Sequence, residues 1–186
     1  TGNPDHLTRE AERALLQADL ILLPDKGAGK RDLLDARRAI LEGLPVGPAR
    51  TVDFDLPRRD PDLPYLDAVA QWHASIAHLW RDLIAQHLPQ GGRVVLMVWG
   101  DPMLYDSSLR LAQALSGDMA LSVRVVPGIT SLQVLCAAHA IPLNALGAPV
   151  LITTGRNLRD GGWPEGQGRV AVMLDSGGAF SVLDGA

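Results

Sequence analysis

The sequence predicts an α/β fold of largely parallel strands, and three observations carry that prediction. Apolar segments of strand length alternate with amphipathic segments of helical period along most of the chain. The run Val94–Val98 is apolar without alternation, as expected of a strand in the middle of a parallel sheet covered on both faces. Turns bearing glycine or proline close the strand candidates, and parallel sheets place their ligands at such carboxyl ends.

From the N-terminus, Thr8 is a fitting N-cap for a helix whose Ala11, Ala14, Leu15 and Ala18 share one stripe. Leu20–Leu23 reads as a short buried strand, closed by the polar loop Pro24–Lys30. Asp32–Leu41 is helical and Arg50–Phe54 is a strand candidate. Pro57, Pro61 and Pro64 keep the next stretch extended or turning. A long helix follows over Tyr65–His87, ended by Pro89 and Gly91-Gly92. Arg93–Trp99 is the clearest strand; Gly100-Asp101-Pro102 breaks it, and Leu104–Leu115 is the next helix. Ser122–Val126 is expected as another strand, stopped by Pro127-Gly128, and Thr130 opens a helix to Ala140. Val150–Thr154 and Val170–Leu174 are strands flanking the glycine-rich stretch Arg159–Gly168. Thr1-Gly2-Asn3 reads as the end of a turn that follows a strand, and Ala179–Ala186 as the beginning of a new element. The reading therefore expects further chain at both ends.

The bulk composition excludes several function classes. A net charge of −4 gives no electrostatic reason for a nucleic-acid partner. No apolar run approaches the roughly 18 residues of a membrane-spanning helix. A single cysteine, Cys136, rules out an internal disulfide framework, suits a reducing cytoplasm and is expected as a small core residue. His73 and His78 are five apart on one helix, on different faces, so no zinc site is expected; they read as solvated or core side chains. Lys26-Gly27-Ala28-Gly29-Lys30-Arg31 lacks both the glycine spacing and the hydroxyl of a phosphate-binding loop.

Two turns carry more chemistry. In Trp99-Gly100-Asp101-Pro102, glycine lets backbone approach a ligand and Asp101 can accept two hydrogen bonds. Pro127-Gly128-Ile129-Thr130-Ser131 places hydroxyls at a helix start where amide donors are free. Each alone is equally a tight strand-to-helix turn; two of them at strand ends favour a site.

These residues resemble the tetrapyrrole methylase family. Thr1-Gly2-Asn3-Pro4-Asp5-His6-Leu7-Thr8 is similar to the latter part of its glycine-rich opening. Ala18-Asp19-Leu20-Ile21-Leu22 resembles its second strand. Gly100-Asp101-Pro102 with Tyr105, and Pro127-Gly128-Ile129-Thr130-Ser131 leading to Ile141-Pro142-Leu143, resemble its internal motifs. Asp25-Lys26-Gly27, Leu104-Tyr105-Asp106-Ser107, Leu143-Asn144, Val150–Arg156 and Val172–Asp175 resemble the branch that couples methylation to loss of an acetyl group in corrin synthesis.

The resemblance implies two α/β domains, 1–126 and an incomplete 127–186, with S-adenosylmethionine in the cleft between them. It implies donor contacts from Thr1, Trp99, Gly100, Asp101, Leu104, Thr130, Ser131 and Met173; Thr1 stands where relatives often carry proline. The implied substrate is a precorrin, a small tetrapyrrole bearing several carboxylates, for which Lys26 and Arg156 are candidate partners, with Lys30 and Arg31 nearby. Asp25, following a strand, is the candidate general base. Arg37, Arg38, Arg58 and Arg59 are expected as solvated surface charge. No metal, nucleic acid or membrane is implied; a cytoplasmic homodimer is. The readings that remain open are another tetrapyrrole methyltransferase, a methyltransferase of protein or RNA, and a remnant without catalysis.

Overall fold

The computed structural model describes residues 2–27, 31–45 and 50–183. The backbone groups into two compact units, Thr1–Thr130 and Ser131–Ala186.

The first unit holds a parallel three-stranded sheet in the order β2-β1-β3, with β1 at Leu20–Asp25, β2 at Arg50–Asp55 and β3 at Val94–Leu96. The central strand is β1, whose Leu20, Ile21, Leu22 and Leu23 are all fully buried. Its two faces serve two cores. Leu20 and Leu22 pack with Phe54, Ile76, Trp80, Leu111 and Leu115. Ile21 and Leu23 pack with Leu15, Leu34 and Leu41. That is the period-2 alternation of a strand covered on both sides.

The helices that supply those covers are α1 (Arg9–Leu16), α2 (Arg31–Glu42), α3 (Tyr65–His87) and α4 (Ser108–Leu115). Thr8 caps α1 as expected, its Oγ1 accepting from the Ala11 amide at 3.1 Å. The 23-residue α3 has the predicted bounds. By contrast α4 starts four residues after the predicted Leu104. Tyr105 has φ 51°, outside the helical region, and Asp106 accepts from the Ser108 amide at 2.7 Å, setting the start there.

Two strand expectations are corrected. Arg93–Trp99 does not form the middle of the sheet: among the described residues Val94–Leu96 alone is paired, to β1 on one side, and all three residues are half-buried. Apolarity on both faces reports cover by other elements, and β1 meets that condition better; which strand is central is decided by backbone pairing. Ser122–Val126 is not a strand. Its Val123 and Val125 are exposed, and β propensity without a pairing partner does not make a ladder.

The second unit holds α5 (Ser131–Ala138), β4 (Leu151–Thr154), α6 (Gly155–Gly161) and β5 (Val170–Met173), with β4 and β5 parallel. Helix α6 escaped the sequence reading. It is seven residues long, with glycine at both ends, and Thr154 caps it by accepting from the Asn157 amide at 3.3 Å. Cys136 is half-buried rather than a core residue, because α5 buries only Leu132.

Candidate functional site

The two turns singled out in the sequence meet inside the first unit. Asp101 joins them: its Oδ1 accepts from the Met103 amide at 2.8 Å within its own turn. Its Oδ2 accepts from the Gly128 amide at 2.8 Å, across to the Pro127–Thr130 turn. Both carboxylate oxygens are thus engaged by backbone donors, and Asp101 acts as the staple of the pair.

Glycine is required at this junction for two different reasons. Gly100 has φ 75°, a conformation that costs an L side chain strain. Gly128 has no room: a Cβ there would lie 2.1 Å from the Gly100 carbonyl oxygen. The close approach extends to the next residues, since a Cβ on Gly100 would meet Thr130 Cα at 3.5 Å. Trp99, Gly100, Asp101 and Thr130 are therefore brought together, each half-buried, and Leu104 follows, its amide donating to the Asp101 carbonyl at 3.2 Å.

Trp99 is held from one side by a residue the sequence reading misassigned. Arg37 is 5% exposed, not a solvated surface charge. Its Nε donates to the Met97 carbonyl at 3.1 Å, one Nη donates to the Leu33 carbonyl at 3.2 Å, and its guanidinium lies 4.5 Å over the Trp99 ring. Burial pushes the guanidinium below its usual pKa, and the nearby Asp106 carboxylate opposes that. The signal was present in the sequence: Arg37 occupies the apolar stripe Leu34, Arg37, Leu41 of α2. A cation on a buried stripe needs partners, and here carbonyls and an aromatic face supply them. The Trp99 indole N–H is itself buried without a partner among the described residues.

A cavity of about 760 Å³ is lined by Trp99, Gly100, Pro127, Gly128 and Ile129 together with Val94–Val98 and Leu121–Val126. Its walls along β3 are apolar; the two turns, Asn3, Arg37, Arg93 and Arg124 contribute polar groups.

Asp25 sits at the carboxyl end of β1, opposite Asp55 in register. Its Oδ1 accepts from the Gly27 amide at 2.7 Å, closing the turn there. Lys26 is exposed beside it. Thr1 and Lys30 lie outside the described residues.

In the second unit Met173 ends β5 in register with Thr154, the last residue of β4, and Arg156 is exposed in the first turn of α6. Ser131 is exposed at the start of α5. Gly155 repeats the tight-junction theme, because a Cβ there would fall 2.5 Å from Asp175 Oδ1. Asp175 also accepts from the Ala179 amide at 2.7 Å. Among the described residues no cluster of His, Cys, Asp or Glu has metal-binding geometry, and no helix is long and apolar enough to cross a membrane.

The family model for Tetrapyrrole (Corrin/Porphyrin) Methylases matches residues 1–183. The chain is a tetrapyrrole methylase. Among relatives of this methylase, the precorrin-6A synthase [deacetylating] of Sinorhizobium sp is 45% identical over 99% of this chain and 72% of its own length. The precorrin-2 C(20)-methyltransferase of Sinorhizobium sp is 29% identical over 76% of this chain and 56% of its own. The crystal structure of a cobalamin synthesis related protein (CobF) from Corynebacterium diphtheriae superposes with a TM-score of 0.76 at 37% identity, covering 97% of this chain and 71% of that one.

Proposed function

We propose that this methylase transfers the methyl group of S-adenosylmethionine to C-1 of precorrin-5, with loss of the acetyl group as acetate, to give precorrin-6A. The observation that carries the reading is the identity with the deacetylating precorrin-6A synthase along nearly the whole chain. A second methyltransferase of the same pathway class, acting on precorrin-2, matches less of the chain and at lower identity.

The residues present fit the donor. A glycine junction that excludes even a methyl group brings two backbone turns together, and the Trp99 indole N–H is buried with no partner among the described residues. We assign the donor to Trp99, Gly100, Leu104 and Thr130 of the first unit and, as the family resemblance implies, to Ser131 and Met173; Asp101 holds the turns in shape. Bound there, the sulfonium supplies an electrophilic methyl group. The chain's own tasks are to align the acceptor carbon and to keep competing water away. Lys26 and Arg156 are assigned to substrate carboxylates. Asp25 is assigned to the water that completes acetate release, its Oδ2 taking a proton while Oδ1 stays in the turn.

Calorimetric titration with S-adenosylmethionine, followed by product analysis with precorrin-5, tests this. The reading expects saturable donor binding and formation of acetate with a methylated product. Methylation of precorrin-2 but not of precorrin-5 would replace the assigned substrate.

A further inference from the structure

One polar pair between α3 and α4 has no part in the donor site or in holding the sheet. Ser107 is the N-cap residue of α4, yet its hydroxyl makes no capping bond. It lies instead 3.0 Å from His73 Nε2 on α3. Serine at an N-cap normally serves the free amides of the first turn; here Asp106 takes the Ser108 amide, which releases the serine hydroxyl. Ser107 lies on the chain that leaves the carboxyl end of β3 through the Gly100–Asp101 turn, the side on which parallel sheets hold ligands, and His73 reaches it from α3.

The surroundings favour the neutral imidazole over its charged form. Desolvation lowers the His73 pKa, and the Arg110 guanidinium lowers it further. Its Nε2 is then an acceptor for the serine proton when the ring proton resides on Nδ1. Cations stand nearby for an anionic ligand: Arg110 is exposed, with Nη1 donating to the Asp106 carbonyl at 3.2 Å. Arg59, also exposed, lies 5.8 Å over the ring of Trp72, whose centroid is 5.4 Å from that of His73 at a tilt of 36°.

We propose that Ser107 and His73 are a nucleophile and base that receive the acetyl group before water does. This rests on the reaction assigned above. Ser107 Oγ attacks the acetyl carbonyl carbon while its proton passes to His73 Nε2. The bond between that carbonyl carbon and the ring carbon breaks, and its electron pair stays on the ring carbon, delocalised into the conjugated system, as the nucleophile that methylation consumes. Water then attacks the acetyl-serine, giving its proton to Asp25. The protonated His73 returns its proton to Ser107 Oγ as acetate leaves. Atoms and charge balance: one proton of the water leaves through Asp25 and the other as the released acetic acid ionises to acetate, so two protons reach solvent. This is the activated-nucleophile arrangement that acyl transfer uses on unrelated folds.

The test is a rapid-quench single turnover of the full chain with precorrin-5 labelled with carbon-13 in its acetyl group. Released acetate, the methylated product and the mass of the Ser107 peptide are followed together. The expected result is one transient acetyl group on Ser107 in the wild type. Ser107→Ala and His73→Asn should each slow acetate release by about 100-fold or more, with donor affinity and thermal midpoint kept. Ser107→Cys keeps a nucleophile of similar size and should hold the acetyl group as a thioester, so the proposal stays testable even if alanine disturbs the helix start. Near-wild-type acetate release by Ser107→Ala, or no label on position 107 in either the wild type or Ser107→Cys, overturns the pair while leaving the assigned reaction standing. A wild type that neither releases acetate nor methylates precorrin-5 overturns both.

Discussion

Gly128→Ala is the sharpest probe of the junction between the two turns. The added methyl would sit 2.1 Å from the Gly100 carbonyl oxygen, 3.2 Å from the Gly100 carbonyl carbon and 3.8 Å from Asp101 Cα. Carbon and oxygen need a little over 3 Å, so the turns must part by about 1 Å, and all the near atoms are backbone that cannot rotate away. Overpacking of this kind costs about 1–3 kcal/mol. Parting also stretches the 2.8 Å bond from the Gly128 amide to Asp101, a charge-assisted contact of about 1.5–3 kcal/mol. The two terms overlap, because one displacement causes both, so about 2–4 kcal/mol is expected in total. If half of that falls on donor binding, affinity drops about 10-fold; the rest lowers the thermal midpoint by several degrees. Calorimetry with S-adenosylmethionine and a melting curve read the two parts separately. Asp101→Ala removes the same staple without the clash and should weaken donor binding by a smaller factor. Wild-type affinity and midpoint in Gly128→Ala would refute the claim that these turns are locked together.

Other outcomes follow from the same geometry. Arg37→Met keeps the volume beneath Trp99 but removes the donors to the Met97 and Leu33 carbonyls; donor affinity should fall several-fold while the circular dichroism spectrum is retained, and Arg37→Lys should not restore it, because an ammonium lacks the planar fork. The acetyl-transfer rate should rise with pH through a midpoint below the ordinary histidine value of 6.5, and Arg110→Gln should move that midpoint up by removing one of its two lowering influences. A histidine whose folded pKa is lowered binds fewer protons folded than unfolded between the two values, so stability falls as pH drops through that window. Asp25→Asn should slow acetate release and let acetyl-serine accumulate, with donor binding unchanged.

What was legible in the sequence was set by local rules. Four consecutive apolar residues fixed β1, a proline and two glycines ended α3, and the threonine cap of α1 was visible from spacing alone. The two turns could be named as a site because Gly and Pro after strands constrain backbone whatever surrounds them. The features that escaped depend on partners distant in sequence. The edge position of β3 follows from pairing with β1 more than 70 residues earlier. Arg37 escaped because charge was given precedence over its place on the α2 stripe, and the compensating groups, Met97 O and the Trp99 ring, are 60 or more positions away. His73 looked inert until α4 placed Ser107 against it, 34 residues on.

The central claim is that one site removes an acetyl group and installs a methyl group on the same carbon. A single turnover with doubly labelled reactants, carbon-13 in the acetyl of precorrin-5 and in the donor methyl, measures it directly. The account predicts one acetate formed for each methyl transferred, with the new methyl at C-1. Methyl transfer that leaves the acetyl group in place, or acetate loss that proceeds to completion with no methyl incorporated, would contradict it.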